Sequence, residues 1–455
     1  MNQDPKIGII RVELNHITKG TARIFDRTIR VYRDAVSFLV HAASEHASEV
    51  YDLSSYDETT FMDRLVHQTK DNPFPEYPTF DLLFNRLPSY MRRAASHSAC
   101  GYIRSHHSNC ENYQADRSYH ISRGHHYTKR APGFTYTPNV CPVLYRDQTY
   151  ILGADKCTDI KIKVRRNNAW KWINVGMPNR DLKSLERAQQ RGKVMNPSLQ
   201  HKYGKYYLVF PVKYKGSAFP SAPLEEQKVL GVDLGLNHGA VCSVVDAFGS
   251  IHGRMFSPFK AEMARIEHTI KLIRKQASDS GKGQSLSHIY TKLRGQKENY
   301  VRQLARWIVD TAIQNGVYGI VLEHLSNMRG HAKGRLSEHV QHWCTAKIRD
   351  YVKGMAFREG IRVFIINPKG TSQYAYDGSG RVRRDPKNYS LCTFANGKRY
   401  HCDLSASYNI GARYFLRAYK KAIPETVWSQ TAAKVPSLAK RTTWTLAALK
   451  AFASA

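Results

Sequence analysis

The spacing of apolar positions changes character several times along the chain, and each change predicts an element. Residues 6 to 14 alternate weakly and predict a strand. Between Ala22 and about Glu49 the apolar residues Ile24, Ile29, Val31, Ala35, Phe38, Leu39 and Ala42 recur mostly at three or four, which predicts a helix. Asp71 to Pro88, rich in proline and aromatics, reads as a connector, and Ser89 to Tyr113 resumes a helical pattern. From Val140 to Lys215 the period shortens. Tyr150–Leu152, Ile160–Val164, Trp170–Val175 and Tyr206–Lys213 cluster or alternate β-formers and predict strands, with a small barrel carrying basic outward positions as their expected packing.

Gly216 to Pro223 is the clearest linker. Beyond it the pattern predicts a meander over 229–236, 240–245 and 251–256, then a long helical pair broken at Ser278 to Gln284. A strand at 319–323, a helix from Val340 to about Glu359, a strand at 361–367, an irregular stretch to Tyr400 and a helix over 404–417 follow. Strands first and then alternating helices and strands indicate a mixed α/β sheet. The weakly helical tail from Ala422 to Ala455 carries no assignable role from its pattern.

Three of these elements deliver a carboxylate where one is costly. Asp233 sits in the apolar run Val229–Val241, Glu323 ends the run Gly319–Leu322, and Asp403 opens the helix after Cys402. A lone acid in such a place is most often a turn former. Three acids, separated by 90 and 80 residues and each in a matching context, point instead to an all-oxygen site of the kind hard divalent cations prefer.

Composition then narrows the partner. The chain has 455 residues, 42% of them hydrophobic, enough for two or three cored domains. Its 69 Lys and Arg against 37 Asp and Glu leave a formal charge of +32, which opposes compaction unless a polyanion neutralises it and makes nucleic acid the first partner to expect. No apolar run approaches the roughly 18 residues of a membrane span and no signal-peptide pattern opens the chain, so a cytoplasmic protein without a membrane partner is expected. The eight cysteines show no disulfide framework, in keeping with a reducing compartment.

Candidate contacts to nucleic acid are Arg92, Arg93 and Arg104 on the helix after Ser89, beside Tyr90, Tyr102 and Tyr113; Lys161, Lys163, Arg165 and Arg166 on the strand near 160; and Arg381, Arg383 and Arg384 in the irregular stretch. For any one of them a solvated face is the competing reading. The pairs His97/Cys100 and His107/Cys110 have the spacing to share one helix face, although zinc sites usually rest on Cys-x2-Cys knuckles.

The residues around the three acids resemble a known family. Gly231-Val-Asp233-Leu-Gly-Leu-Asn237, Val321-Leu-Glu323-His-Leu325 and Cys402-Asp403-Leu-Ser-Ala-Ser-Tyr-Asn409-Ile410 are similar, in order and spacing, to the three motifs of the RuvC-like nuclease domain in the transposon-encoded TnpB proteins and the miniature type V CRISPR effectors, which are RNA-guided DNA nucleases. The resemblance is specific over 229–418 and architectural before that.

It implies an α/β plus mixed α+β chain: a β-barrel wedge domain (1–20 and 136–215) into which a helical recognition lobe (21–135) is inserted, a linker (216–228), an RNase H-like RuvC domain (229–370 and 401–422) interrupted by a target-nucleic-acid-binding insert (371–400) that begins at Thr371-Ser372-Gln373, and a tail (423–455). It also implies Asp233, Glu323 and Asp403 as catalytic ligands of two Mg2+ ions, with Mn2+ as the alternative, a guide RNA, and a DNA target bound as duplex and displaced single strand. Its expected activity is guided hydrolysis of DNA; the alternative is a guided DNA-binding protein that acts by occupancy without cutting.

Two departures stand out. Where the family carries two Cys-x2-Cys knuckles, this chain has Ala375, Gly378, Cys392 and Ala395, so no zinc is expected there and packing of Tyr374, Tyr376, Tyr389, Phe394 and Tyr400 is expected to hold the insert. Ser405 stands where the family often has Asn.

Overall fold

The computed structural model describes residues 6–134, 139–153, 159–214, 216, 219–235, 239–279, 286–324, 336–388 and 390–455. The chain divides into two compact units, Ile7–Lys215 and Gly216–Ala455, and the break falls at the head of the Ser- and Pro-containing stretch.

The first unit opens with strand β1 (Lys6–Glu13) and helix α1 (Lys19–Glu45). Thr18 caps α1 by accepting a hydrogen bond from the Thr21 amide, so the helix begins before its first apolar residue. Its inward stripe includes Phe25, Ile29, Tyr32, Val36 and Leu39. Short helices α2 (Ala47–Val50), α3 (Ser55–Val66) and α4 (Thr79–Leu83) follow, the last lying inside the predicted connector. Helix α5 (Ser89–Ile121) outruns its predicted end at Tyr113. All its buried residues lie between Met91 and Ile103, so beyond that point no apolar period marks the helix.

The remaining strands form two sheets. Strands β2 (Tyr150–Leu152), β3 (Asp159–Arg166) and β4 (Ala169–Gly176) pair antiparallel, with Ile160, Ile162 and Val164 turned into the core. After helix α6 (Asn179–Arg191) come β5 (Gly192–Val194), β6 (Ser198–Lys202) and β7 (Lys205–Tyr214), which join β1 in the order β1-β7-β5 with β6 also on β7. Among the described residues no closed barrel forms. The 13-residue α6 interrupts the strand succession, and the two sheets, which share one core with Tyr150 against Phe210, are bridged by backbone at the isolated pair Asn15–Gly176 rather than joined along a ladder. The predicted barrel is therefore corrected to two sheets packed with helix.

The second unit is built on a five-stranded mixed sheet, β10-β9-β8-β11-β12. Strands β8 (Lys228–Asp233), β9 (Val241–Asp246) and β10 (Ile251–Phe256) make an antiparallel meander. Helices α7 (Lys260–Asp279) and α8 (Ser287–Gln314) lead to β11 (Gly319–Glu323), which runs parallel to β8; helix α9 (Leu336–Arg358) then leads to β12 (Arg362–Ile366), parallel to β11. Strands β8, β9 and β11 are buried almost throughout, as a sheet covered on both faces requires.

On one face α8 and α9 bury Leu304, Ile308, Ile348 and Val352. On the other lies a core containing Leu404, Tyr408, Phe415, Trp428, Trp444 and Leu449. Between β12 and that second face runs a small antiparallel sheet, β13 (Arg383–Arg384), β14 (Leu391–Thr393) and β15 (Arg399–His401), followed by α10 (Cys402–Ala422), α11 (Glu425–Lys434) and α12 (Leu446–Ala453). The tail thus helps to cover the sheet.

Candidate active site

The parallel pairing of β8 and β11 is in register from Gly319/Val229 to Val321/Gly231, and carrying it two residues further sets Glu323 opposite Asp233 at the ends of both strands. Parallel neighbours end on the same side, so two apolar strands place two carboxylates at one edge of the sheet.

Helix α10 brings the third. It crosses β8 and β9 at a distance that only glycine permits: a Cβ on Gly231 would lie 2.3 Å from the Ser407 carbonyl oxygen and 2.8 Å from the Gly411 amide nitrogen, and one on Gly411 would lie 2.8 Å from Val245 Cγ2. The crossing sets the first turn of α10 over the end of β8, where a Cβ on Gly235 would meet Asp403 Oδ2 at 3.3 Å. Asp403 gains from its place in the first turn, where the helix dipole favours negative charge.

The electrostatics register the convergence. Asp233 is held well above the usual carboxylate range, first by burial and then by repulsion from Glu323 and Asp403, with Arg384 opposing. Glu323 is also raised by burial, against a hydrogen bond from Thr371 and the charge of Arg413. The donor set is all oxygen, and its negative charge is uncompensated enough to repel, which suits a hard divalent cation. Among the described residues, no group of three or more Asp, Glu, His or Cys is gathered into a ready-made cation cage.

Thr371, the first residue of the predicted insert, shares its hydroxyl proton between Glu323 Oε1 at 2.5 Å and the Pro368 carbonyl at 2.8 Å. Ser405, at the position where Asn was expected, accepts the Tyr376 amide at 3.2 Å and so ties α10 to the insert. Ala375, Cys392 and Phe394 of the insert and Cys402 of α10 form one buried cluster against Tyr376, Val382 and Tyr400. The rings of Tyr376, Phe394 and Tyr400 contact one another, and Tyr374 lies under the Arg381 guanidinium; Tyr389 is outside the described residues. The thiols of Cys392 and Cys402 share a hydrogen bond that lowers the first and raises the second.

The candidate basic residues separate into groups. Arg92 donates to Asp63 Oδ1 at 2.8 Å with only 12% of its side chain exposed, and Arg104 pairs with buried Glu58 and donates to the Leu53 carbonyl. The Arg92 charge is neutralised inside the helical layer, which argues against a phosphate contact by it, whereas the Arg104 side chain stays 35% exposed beside its partner. Arg93 has a buried Nε with no hydrogen-bond partner. The predicted His–Cys pairs do not form a site either. His97 bonds to Glu58, Cys100 is fully buried, His107 stacks on Tyr51, and Cys110 sits 3.6 Å from His106.

On the β3–β4 hairpin Lys161 and Arg166 are exposed, and Lys163 and Arg165 are half-buried. Lys161, Lys163 and Arg165 stand opposite Asn174, Trp172 and Trp170, with Lys163 Nζ 5.7 Å from the Trp172 ring centre and Arg165 5.8 Å from that of Trp170; Trp172 is 40% exposed. Arg166 is exposed at the strand end. Arg165 is lowered by burial and by the nearby charges of Arg27 and Arg86, and its Nη1 is buried without a partner. Such a concentration of cations over aromatic faces is what a nucleic-acid backbone with stacked bases requires. In the second unit Arg383 and Arg384 are exposed, and Arg384 is near enough to Asp233 to lower its pKa.

Sequence reasoning did not assign roles to Thr371, Asn409 and Arg413. The available signal was Arg413, a lone cation inside the apolar run Ile410–Leu416 of α10.

Comparison with known proteins agrees with the motifs. Residues 8–166 match the Aq_aa04 family. Over 181 residues the chain is 28% identical to the CRISPR-associated endodeoxyribonuclease Cas12f1 of Syntrophomonas palmitatica, a match that takes in 37% of this chain and 35% of that relative, so it spans about a third of the relative's length.

Among solved structures, the Cas12f1–sgRNA–target DNA complex aligns with 89% of this chain and 99% of its own at 12% identity and a TM-score of 0.34. CasPhi-2 (Cas12j) bound to crRNA and phosphorothioate-DNA aligns with 90% and 91% at 10% identity and a TM-score of 0.48. No helix among the described residues is long and apolar enough to cross a membrane. In its sequence match and in its three carboxylate motifs, the chain is similar to the miniature type V CRISPR effectors.

Proposed function

We propose that this protein is an RNA-guided DNA endonuclease whose active site is Asp233, Glu323 and Asp403, set on an RNase H-like RuvC domain. The observation that carries the reading is that three acids spread over 171 positions of sequence end at one sheet edge, close enough for Glu323 and Asp403 to raise Asp233. The sequence match to an endodeoxyribonuclease supports it.

The carboxylate oxygens of these three residues would hold two Mg2+ ions. When bound, such a pair makes a water nucleophilic and stabilises the attacking and leaving oxygens of a phosphodiester. The protein's own part is to hold the acids in place and to exclude competing geometries. Thr371 fixes one oxygen of Glu323, and Asp403 is carried on the first turn of α10. Arg384 presents a cation beside the acids, where the charge of a phosphodiester would lie. The β3–β4 hairpin grips nucleic-acid backbone through Lys161, Lys163, Arg165 and Arg166, with the exposed Trp172 placed for stacking. Target sequence is read by base pairing with a guide RNA, and the protein reads backbone shape and a short flanking motif.

The test is cleavage of a plasmid bearing a guide-matched site by protein purified with its co-purifying RNA, with Mg2+, against Asp233→Ala. Cutting by wild type alone supports the reading. Equal target binding without cutting by either protein supports a binder that acts by occupancy.

A further inference from the structure

Helix α10 carries Asp403 at its start and two buried, hydrogen-bonded polar side chains further along the same helix, Asn409 and Arg413. Asn409, 0% exposed, donates through Nδ2 to the carbonyls of Thr371 and Tyr374, both at 2.9 Å, and accepts the Leu446 amide on Oδ1 at 3.1 Å. Arg413, 5% exposed, donates from Nη1 to the Asn367 and Lys369 carbonyls at 2.9 and 3.0 Å, from Nη2 to the Thr442 carbonyl at 3.0 Å, and from Nε to the Trp444 carbonyl at 3.2 Å.

Two side chains therefore stitch three segments together: α10, the loop 367–374 after β12, and the tail segment 442–446. The fit is tight. A Cβ on Gly370, whose φ is +90°, would lie 2.7 Å from the Thr442 carbonyl oxygen.

A buried guanidinium is costly unless its donors are met, and here four backbone carbonyls accept from it. Such an arrangement is more than the packing of the tail demands, since Trp428, Trp444 and Leu449 already anchor it in the apolar core. What it secures is the loop, and the loop ends in Thr371, whose hydroxyl bonds to Glu323.

We infer that Thr371 is a positioning residue for Glu323, and that Asn409, Arg413 and the 442–446 strap form the frame that holds Thr371, so that the tail is a working part of the nuclease centre. One helix then sets the distance between two of the three acids, carrying Asp403 itself and clamping the loop that orients Glu323. This rests on the proposed metal-dependent nuclease.

The test uses Mn2+ as the probe, titrated into the full-length, RNA-loaded protein by calorimetry and by the electron paramagnetic resonance of free Mn2+. Thr371→Val is expected to melt within a few degrees of wild type, to bind guide RNA equally, and to weaken Mn2+ binding about 10–100-fold, the usual cost of losing an outer hydrogen bond to a ligand. The half-saturating Mg2+ for cleavage should rise by the same factor, and Thr371→Ser should restore both. Arg413→Lys, read below its own melting temperature, should weaken Mn2+ binding in the same direction.

Wild-type Mn2+ affinity in Thr371→Val overturns the role of Thr371. Weakened binding in Thr371→Val with wild-type binding in Arg413→Lys overturns the role of the frame. Wild-type protein that binds no Mn2+, or binds it equally as Asp233→Asn, overturns the nuclease reading itself.

Discussion

Replacing Gly231 with alanine adds one methyl at the point where α10 rests on β8. Its carbon would stand 2.3 Å from the Ser407 carbonyl oxygen, whereas ordinary contact begins at 3.4 Å, so α10 must move outward by about 1 Å. Backbone on both sides of the contact leaves no flexible side chain to yield. Overpacking of this kind costs about 1–3 kcal/mol, and in a unit of this size each kcal/mol lowers the melting temperature by about 2–4 °C.

The larger effect is on the site. Asp403 rides on the displaced helix while Asp233 stays on the strand, and a misplacement of about 1 Å in a reacting constellation costs on the order of 100-fold in rate. Thermal melting followed by fluorescence, together with single-turnover cleavage in saturating Mg2+, reads both. Gly295→Ala is the control: it lies within α8 with nothing within 4 Å of the new methyl, so it should stabilise by about 0.5–1 kcal/mol and leave cleavage unchanged. If Gly231→Ala cleaves and melts like wild type, the close crossing does not set the acid geometry, and the account of the site fails.

Further outcomes follow from the same geometry. Because the folded state raises Asp233, the native protein binds that proton more tightly than the unfolded chain, so metal-free stability falls as pH rises from the ordinary Asp range through the raised value and stays low above it. Asp233→Asn should therefore melt higher than wild type at pH 8 in chelator, by a margin that narrows toward acid pH, and should gain no stability from added Mg2+; a variant that melts lower at pH 8 contradicts the cost of burying that charge beside two others. Arg384→Ala should slow single-turnover cleavage by about 100-fold while leaving target affinity within about twofold, the pattern of a charge felt most in the transition state; an equal loss of binding refutes it. Lys163→Ala should reduce the salt slope of RNA binding by about one, whereas Arg92→Ala should lower the melting temperature and leave that slope alone, because its partner is Asp63.

The parts of this protein that are legible in its sequence are those in which one residue type answers to one local cause. The apolar runs ending in Asp233 and Glu323 mark both the strands and their carboxylates, since an acid that closes a buried strand must have its charge met by something gathered at that edge. The helix after Cys402 is legible from its period, though its start two residues earlier is set by His401, which caps it by accepting the Leu404 amide.

The barrel is misread because alternation specifies a face for each strand and says nothing of which strands pair. Helix α6 adds to the difficulty: its buried side chains are only Leu185 and Ala188, too few for a period, and yet it separates the strands that a barrel would have joined. The reach of α5 beyond Tyr113 is hidden for the same reason, its later turns burying nothing.

Illegibility at the candidate site has a different origin. The hydrogen bonds of Asn409 and Arg413 run to backbone carbonyls 29 to 46 positions away, and a carbonyl has no sequence signature. Only the donor can be seen, as a polar residue in an apolar run. An arginine such as Arg413, flanked by Ala412, Tyr414, Phe415 and Leu416 on a helix that must be buried, cannot reach water, so its five N–H groups must be met by something inside. In a sheet already saturated with its own hydrogen bonds, the acceptors that remain are in loops and chain ends. That reasoning turns the single cation into a statement about the tail: a segment that supplies carbonyls to a buried guanidinium beside Glu323 belongs to the site even though it carries no acid, base or ligand of its own.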